Sequence, residues 1–108
     1  MNAKIQKDLS NVIQAIASNT QIEDMFLFGS WAYGDPNTES DLDIYLIIPD
    51  NDVDICDLNA EIRHALYKKL SLPLDLVIAK KSVFEKRTKA WKLILLLSGF
   101  VLVWKSPA

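Results

Sequence analysis

The sequence predicts an α+β domain in which helices pack on a small mixed β-sheet. Three observations carry that expectation. Stretches with apolar residues at helical spacing alternate with short apolar runs rich in β-branched residues. Turn-forming clusters, above all "YGDPNTES" with Gly34, Asp35, Pro36 and Asn37, separate the two kinds of segment. A length of 108 residues accommodates one core, so residues 1–108 are expected to form a single domain.

The elements follow in order. Ile5, Leu9, Val12, Ile13 and Ile16 share one helical face, predicting a first helix that ends near "SNT". "MFLFGS" is an apolar run stopped by glycine and reads as a buried strand. "LDIYLII", closed by Pro49, is the second strand. Ile55, Leu58, Ile62, Leu66 and Leu70 mark a second long helix, which ends before Pro73. "LDLVIA" is a third strand. Ser82 is placed to cap a third long helix whose Phe84, Thr88, Trp91 and Leu95 line one face. Gly99 then breaks the chain before a last strand, "FVLVW". That strand could be buried in the monomer, or be an edge covered by a second copy or a partner.

Composition narrows the functional classes. Half of the residues are apolar and 24% are charged, the balance of an ordinary globular protein. Cys56 is the single cysteine, which excludes an internal disulfide and fits a reducing cytosol; it reads as a small core residue rather than a nucleophile. The start, "MNAKIQKDLSNVIQAI", lacks the long apolar core of a secretory signal. "LILLLSGFVLVW" is too short for a spanning helix and is broken by Ser98-Gly99. The expectation is a cytoplasmic protein with no membrane partner. Net charge is −2, but all of the 14 acidic residues except Asp75 and Glu85 precede Arg63. No lysine or arginine lies between Lys7 and Arg63. Two solvated faces that pair with each other would explain this asymmetry, and so would a ligand combining metal and phosphate. His64 sits in a helical surface pattern, and no RNA- or DNA-binding motif is present, so nucleic acid is not an expected partner.

One constellation points to chemistry. Asp41 and Asp43 are two apart at the head of a strand, so both project to one face with Cα atoms about 7 Å apart. Such carboxylates repel each other but can share divalent ions about 3.5–4 Å apart, and hard oxygen donors favour Mg²⁺ or Mn²⁺. Asp75 interrupts the third apolar strand and joins the pair if that strand neighbours the second. Gly29-Ser30 closes the first strand, where glycine lets a ligand approach the backbone and free amides could cradle phosphate. Read singly, Asp41 could cap a turn and Asp43 could be an exposed strand residue; read with Gly29-Ser30 and Asp75, they form a site.

Gly29-Ser30, ten residues, Asp41-x-Asp43 and an acid in a later strand resemble the polymerase-β-like nucleotidyltransferase superfamily. The short length resembles its minimal nucleotidyltransferases, the antitoxin type found in HEPN/MNT modules. The resemblance covers roughly Phe26 to Ala79 and implies a palm-like fold. It implies that Gly29 and Ser30 hold nucleotide phosphates, that Asp41 and Asp43 bind two Mg²⁺ ions, and that Asp75 binds one ion and helps deprotonate the acceptor. The implied reaction is attack of a hydroxyl on the α-phosphate of ATP with release of pyrophosphate. The implied partner is a HEPN-domain toxin that receives AMP on a tyrosine. Many relatives carry a basic residue after the Gly-Ser pair, where this chain has Trp31, so Arg63, Lys80 or Lys81 is expected to meet phosphate charge. Two other readings stand beside this one: a module that neutralises a partner by contact alone, and a small-molecule nucleotidyltransferase of aminoglycoside type.

Overall fold

The protein is represented by a computed structural model that describes residues 3–28, 42–86 and 100–105. The first helix, α1 (Ala3–Asn19), buries Ile5, Val12 and Ile16 completely. Its last carbonyls are satisfied locally: Asn19 Nδ2 donates to Ala15 O at 2.7 Å and Thr20 N to Ile16 O at 2.9 Å. β1 (Asp24–Phe28) and β2 (Leu42–Ile48) are antiparallel neighbours.

α2 (Ile55–Ala65) begins at Asp54, whose Oδ1 accepts the Asp57 amide at 3.1 Å. Asp57 in its first turn and Arg63 and His64 in its last complement the helix dipole. The helix is shorter than the Leu66 and Leu70 spacing predicts. It stops at Ala65, and Lys68 takes a left-handed backbone with φ 60°. Leu70 still packs against the core, but from the turn. The physical reason is a competitor for the backbone: Asp8 of α1 accepts the amides of Ser71 and Leu72 and draws the chain out of the helix.

β3 (Leu74–Lys80) then runs parallel to β2, a pairing that needs a crossover, here supplied by α2. α3 (Lys81–Lys86) follows without a break. It starts one residue before Ser82, so Ser82 is not its cap; the Ser82 amide instead donates to Asp50 Oδ1 at 3.0 Å. Thr88, Trp91, Leu95 and Gly99 lie outside the described residues. β4 (Phe100–Lys105) pairs antiparallel with β1, and the sheet order is β3-β2-β1-β4. The described residues therefore form a mixed four-stranded sheet with three helices, the α+β class that the sequence predicts.

Strand alternation divides the side chains between two faces. Met25 and Leu27, Leu42 to Ile48 at alternate positions, Leu76 and Ile78 join Ile5, Val12, Ile16, Leu58 and Ile62 of the helices in the main core. On the opposite face Tyr45, Ile47 and Ala79 form a smaller cluster with Phe26, covered by Phe84 of α3. The Phe84 ring lies 5.9 Å from Tyr45 edge-on and 6.5 Å from Phe26 in a stacked arrangement. β2 is thus apolar on both faces except where Asp43 interrupts it. No helix among the described residues is long and apolar enough to cross a membrane.

Candidate active site

The parallel ladder brings two of the predicted acids together. The Leu42 amide donates to Pro73 O at 2.8 Å, and from there the register runs Leu42 with Leu74, Asp43 with Asp75 and Ile44 with Leu76. The leucines and Ile44 belong to the helical side, so Asp43 and Asp75 share the opposite face. Neighbouring strands lie about 4.8 Å apart, which puts the two carboxylates side by side at the head of the parallel pair. Asp43 is half-buried and Asp75 exposed. On its other side Asp43 pairs with Phe28, the last residue of β1 before Gly29-Ser30. Gly29, Ser30, Trp31 and Asp41 lie outside the described residues.

Two like charges on one rung are unfavourable unless positive charge offsets them. Two of the three basic residues expected to serve that end are elsewhere. Lys80 is five rungs away from Asp75, about 16 Å along the strand, and its Nζ donates to Asn51 O. Lys81 lies beyond it, 3.9 Å from Glu23. The sign of a charge carries no information about which end of a strand it occupies. Arg63 is nearer: its Nη1 donates to Leu74 O at 3.1 Å, beside Asp75, and its Nε to Asn59 Oδ1 at 2.7 Å. Asn59 Nδ2 in turn approaches Leu76 O at 3.4 Å, so α2 occupies alternate carbonyls along the free side of β3 and blunts that edge.

His64 is exposed and lines an open groove on the helical side with Asn19, Ala60, Glu61 and Ala65. Cys56 is exposed in the first turn of α2, not buried in the core as its composition class suggests. Two functional-looking acids escape the sequence reading. Asp8 is buried, and its signal was its place between Ile5 and Val12 on the apolar face of α1. Asp50 anchors the start of α3, held below the usual carboxylate range first by the Ser82 amide and hydroxyl and then by Lys80 and Lys81. For a metal, Asp43 and Asp75 supply hard oxygen donors of the kind Mg²⁺ takes, and among the described residues no third potential ligand joins them.

Residues 10–96, a span that contains the whole of β1 to α3, match the family described as polymerase beta, nucleotidyltransferase. The chain belongs to that family. Solved structures agree on the nucleotidyltransferase fold. A Sulfolobus solfataricus protein assigned as a nucleotidyltransferase superposes with a TM-score of 0.58 at 19% identity, covering 97% of this chain and 89% of its own. A toxin–antitoxin structure with AMP-PNP gives 0.59 at 20% identity, covering 91% and 73%. A variant of the MntA–HpeT toxin–antitoxin gives 0.61 at 19%, covering 92% and 73%. No curated protein matches the chain.

Proposed function

We propose that this nucleotidyltransferase is a Mg²⁺-dependent antitoxin that transfers AMP from ATP to a tyrosine hydroxyl of a HEPN-domain toxin. The observation that carries the reading is Asp43 and Asp75 on one rung of the parallel pair, within a family member whose structural neighbours include toxin–antitoxin assemblies and an AMP-PNP complex. Asp41 and Asp43 would hold two Mg²⁺ ions, with Asp75 on one of them, and Gly29 and Ser30 would bind the β- and γ-phosphates. Residues 1–108 act in this reading as one nucleotidyltransferase domain. Bound Mg²⁺ would neutralise the triphosphate and stabilise the departing pyrophosphate. Asp75 accepts the proton of the tyrosine hydroxyl as its oxygen bonds to the α-phosphorus. The bond from that phosphorus to the bridging oxygen breaks, pyrophosphate leaves, and Asp75 returns the proton to solvent. Asp43, half-buried on β2 between β1 and β3, is the more rigidly placed carboxylate, which suits it to orientation rather than proton transfer.

The test uses ATP labelled at the α-phosphate, Mg²⁺, and the protein with the product of a neighbouring HEPN gene. Wild type is expected to label the partner, and substitution of its acceptor tyrosine to abolish the label. Neutralisation of the partner that is unimpaired in Asp43→Asn, with no label transferred by wild type, would overturn catalysis in favour of contact alone. Label recovered only on a small molecule would overturn the protein acceptor.

A further inference from the structure

The parallel pair raises a problem of register. A hairpin sets its own register through its turn, but β2 and β3 are joined by a long crossover, so nothing local aligns Asp75 with Asp43. A slip of one residue would turn Asp75 into the helical core and Leu74 and Leu76 outward. Something distant has to fix where β3 begins.

The buried carboxylate of α1 is placed to do so. Asp8 is 1% exposed and sits on the apolar face of its helix, where an apolar residue would cost less to bury. Its Oδ2 accepts the amides of Ser71 and Leu72, each at 3.0 Å, and its Oδ1 approaches the Ser71 amide at 3.1 Å. Nearly one turn further along α1, Asn11 Nδ2 donates to Lys69 O at 3.1 Å. The two side chains clamp the segment that leaves α2. Pro73 follows directly; having no amide of its own, it contributes only its carbonyl, which takes the Leu42 amide and opens the ladder. Asp75 is two residues on.

We infer that Asp8 is a positioning residue that sets the register of the Asp43–Asp75 pair from the far side of the sheet; this rests on the proposed reading of that pair as the metal and nucleotide site. Asp8 touches neither substrate nor metal. It acts by holding the Ser71 and Leu72 amides, and so the start of β3.

The test measures Mn²⁺ binding by electron paramagnetic resonance, and exchange of the Leu42 amide by NMR, in wild type and four variants. Asp8→Asn places an amide group against a backbone N–H and is expected to weaken Mn²⁺ binding about tenfold or more while speeding Leu42 exchange. Val12→Ala, a buried neighbour on the same helix that holds none of these amides, is expected to lower stability but bind Mn²⁺ within about twofold of wild type. Asn11→Ala removes the exposed half of the clamp and is expected to weaken binding about threefold, which decides the matter if Asp8→Asn does not fold. Asp43→Asn is expected to abolish binding. Wild-type affinity in a folded Asp8→Asn, or in Asn11→Ala where Asp8→Asn does not fold, would overturn the inference. Equal loss in Val12→Ala would overturn it too, as a general effect of stability. Undiminished Mn²⁺ binding by Asp43→Asn would instead overturn the reading of the site on which the inference rests.

Discussion

At one end of the parallel β2–β3 pair two carboxylates stand on the same rung; at the other end, five rungs on, lysines meet acceptors. Lys80 donates to Asn51 O, Lys81 faces Glu23, and Asp50 accepts the Ser82 amide beside both lysines. Between the two ends, two rungs from Asp43 and on the same face, Phe84 of α3 lies against Tyr45 and Phe26. Opposite charges brought together by folding are what structure alone would select. Like charges brought together are not, because each weakens the other's place in the ladder. On the proposed reading of the site, the same two strands separate into a supporting end and a working end, and the contrast can be broken by substitution.

The largest effect belongs to the working end. Asp43→Asn is expected to reduce nucleotidyl transfer on the order of 10³-fold, the scale of removing one group that stabilises transition-state charge. Its stability should change by no more than about 1 kcal/mol, since removing one of two like charges on a rung offsets part of any contact that the asparagine makes less well. Transfer assays run beside urea melts check both. A variant that lost several kcal/mol along with activity would make Asp43 structural and erase the contrast between the ends.

Away from the carboxylate rung the ranking reverses. Phe84→Ala is expected to cost about 2 kcal/mol by removing two aromatic contacts, while the folded fraction retains nucleotide binding. Lys80→Ala and Lys81→Ala should each cost less than about 1 kcal/mol, as exposed ion pairs and hydrogen bonds do. Calorimetric ATP titration should find affinity in both within about twofold of wild type, because about 16 Å separates Lys80 from Asp75. A tenfold loss of affinity in either would mean that the phosphates reach the supporting end.

How far this division could be read beforehand depends on the range of the interaction. Period-2 alternation is local, so "LDIYLII" and "LDLVIA" were legible as strands, and each acid could be assigned a face. That Asp75 aligns with Asp43 was legible only as a condition, since parallel register is set by contacts across the chain such as those of Asp8. The overrun of α2 has the same origin. Leu66 and Leu70 keep helical spacing, but the amides of Ser71 and Leu72 find a better acceptor 63 and 64 residues away. Asp8 was counted only as one acid of the stretch before Arg63, although its position between Ile5 and Val12 already placed it on the buried face. Lys80 and Lys81 were misplaced because charge asymmetry along a sequence says nothing of which end of a sheet each residue reaches. Gly29, Ser30 and Asp41, which spacing singles out, fall outside the described residues.

The smallest predicted effect sharpens the supporting end by pH. Asp50 is held below its ordinary value of 3.8, chiefly by the Ser82 amide and then by the Ser82 hydroxyl and the two lysines. A depressed carboxylate stabilises the fold above its unfolded pKa, and that contribution disappears as pH falls through the folded value. The window therefore lies below about pH 4. Asp50→Asn keeps an oxygen to accept the Ser82 amide but loses the charge, so it should melt slightly earlier than wild type at pH 7 and equally early at pH 5. The difference should begin to shrink below about pH 4 and be smaller at pH 3, falling further as pH passes through the folded value. Urea midpoints at the three pH values decide it. A difference that persisted undiminished at pH 3 would show that Asp50 works through the shape of its hydrogen bond and not through its charge, and the supporting end would then owe less to charge pairing than its lysines suggest.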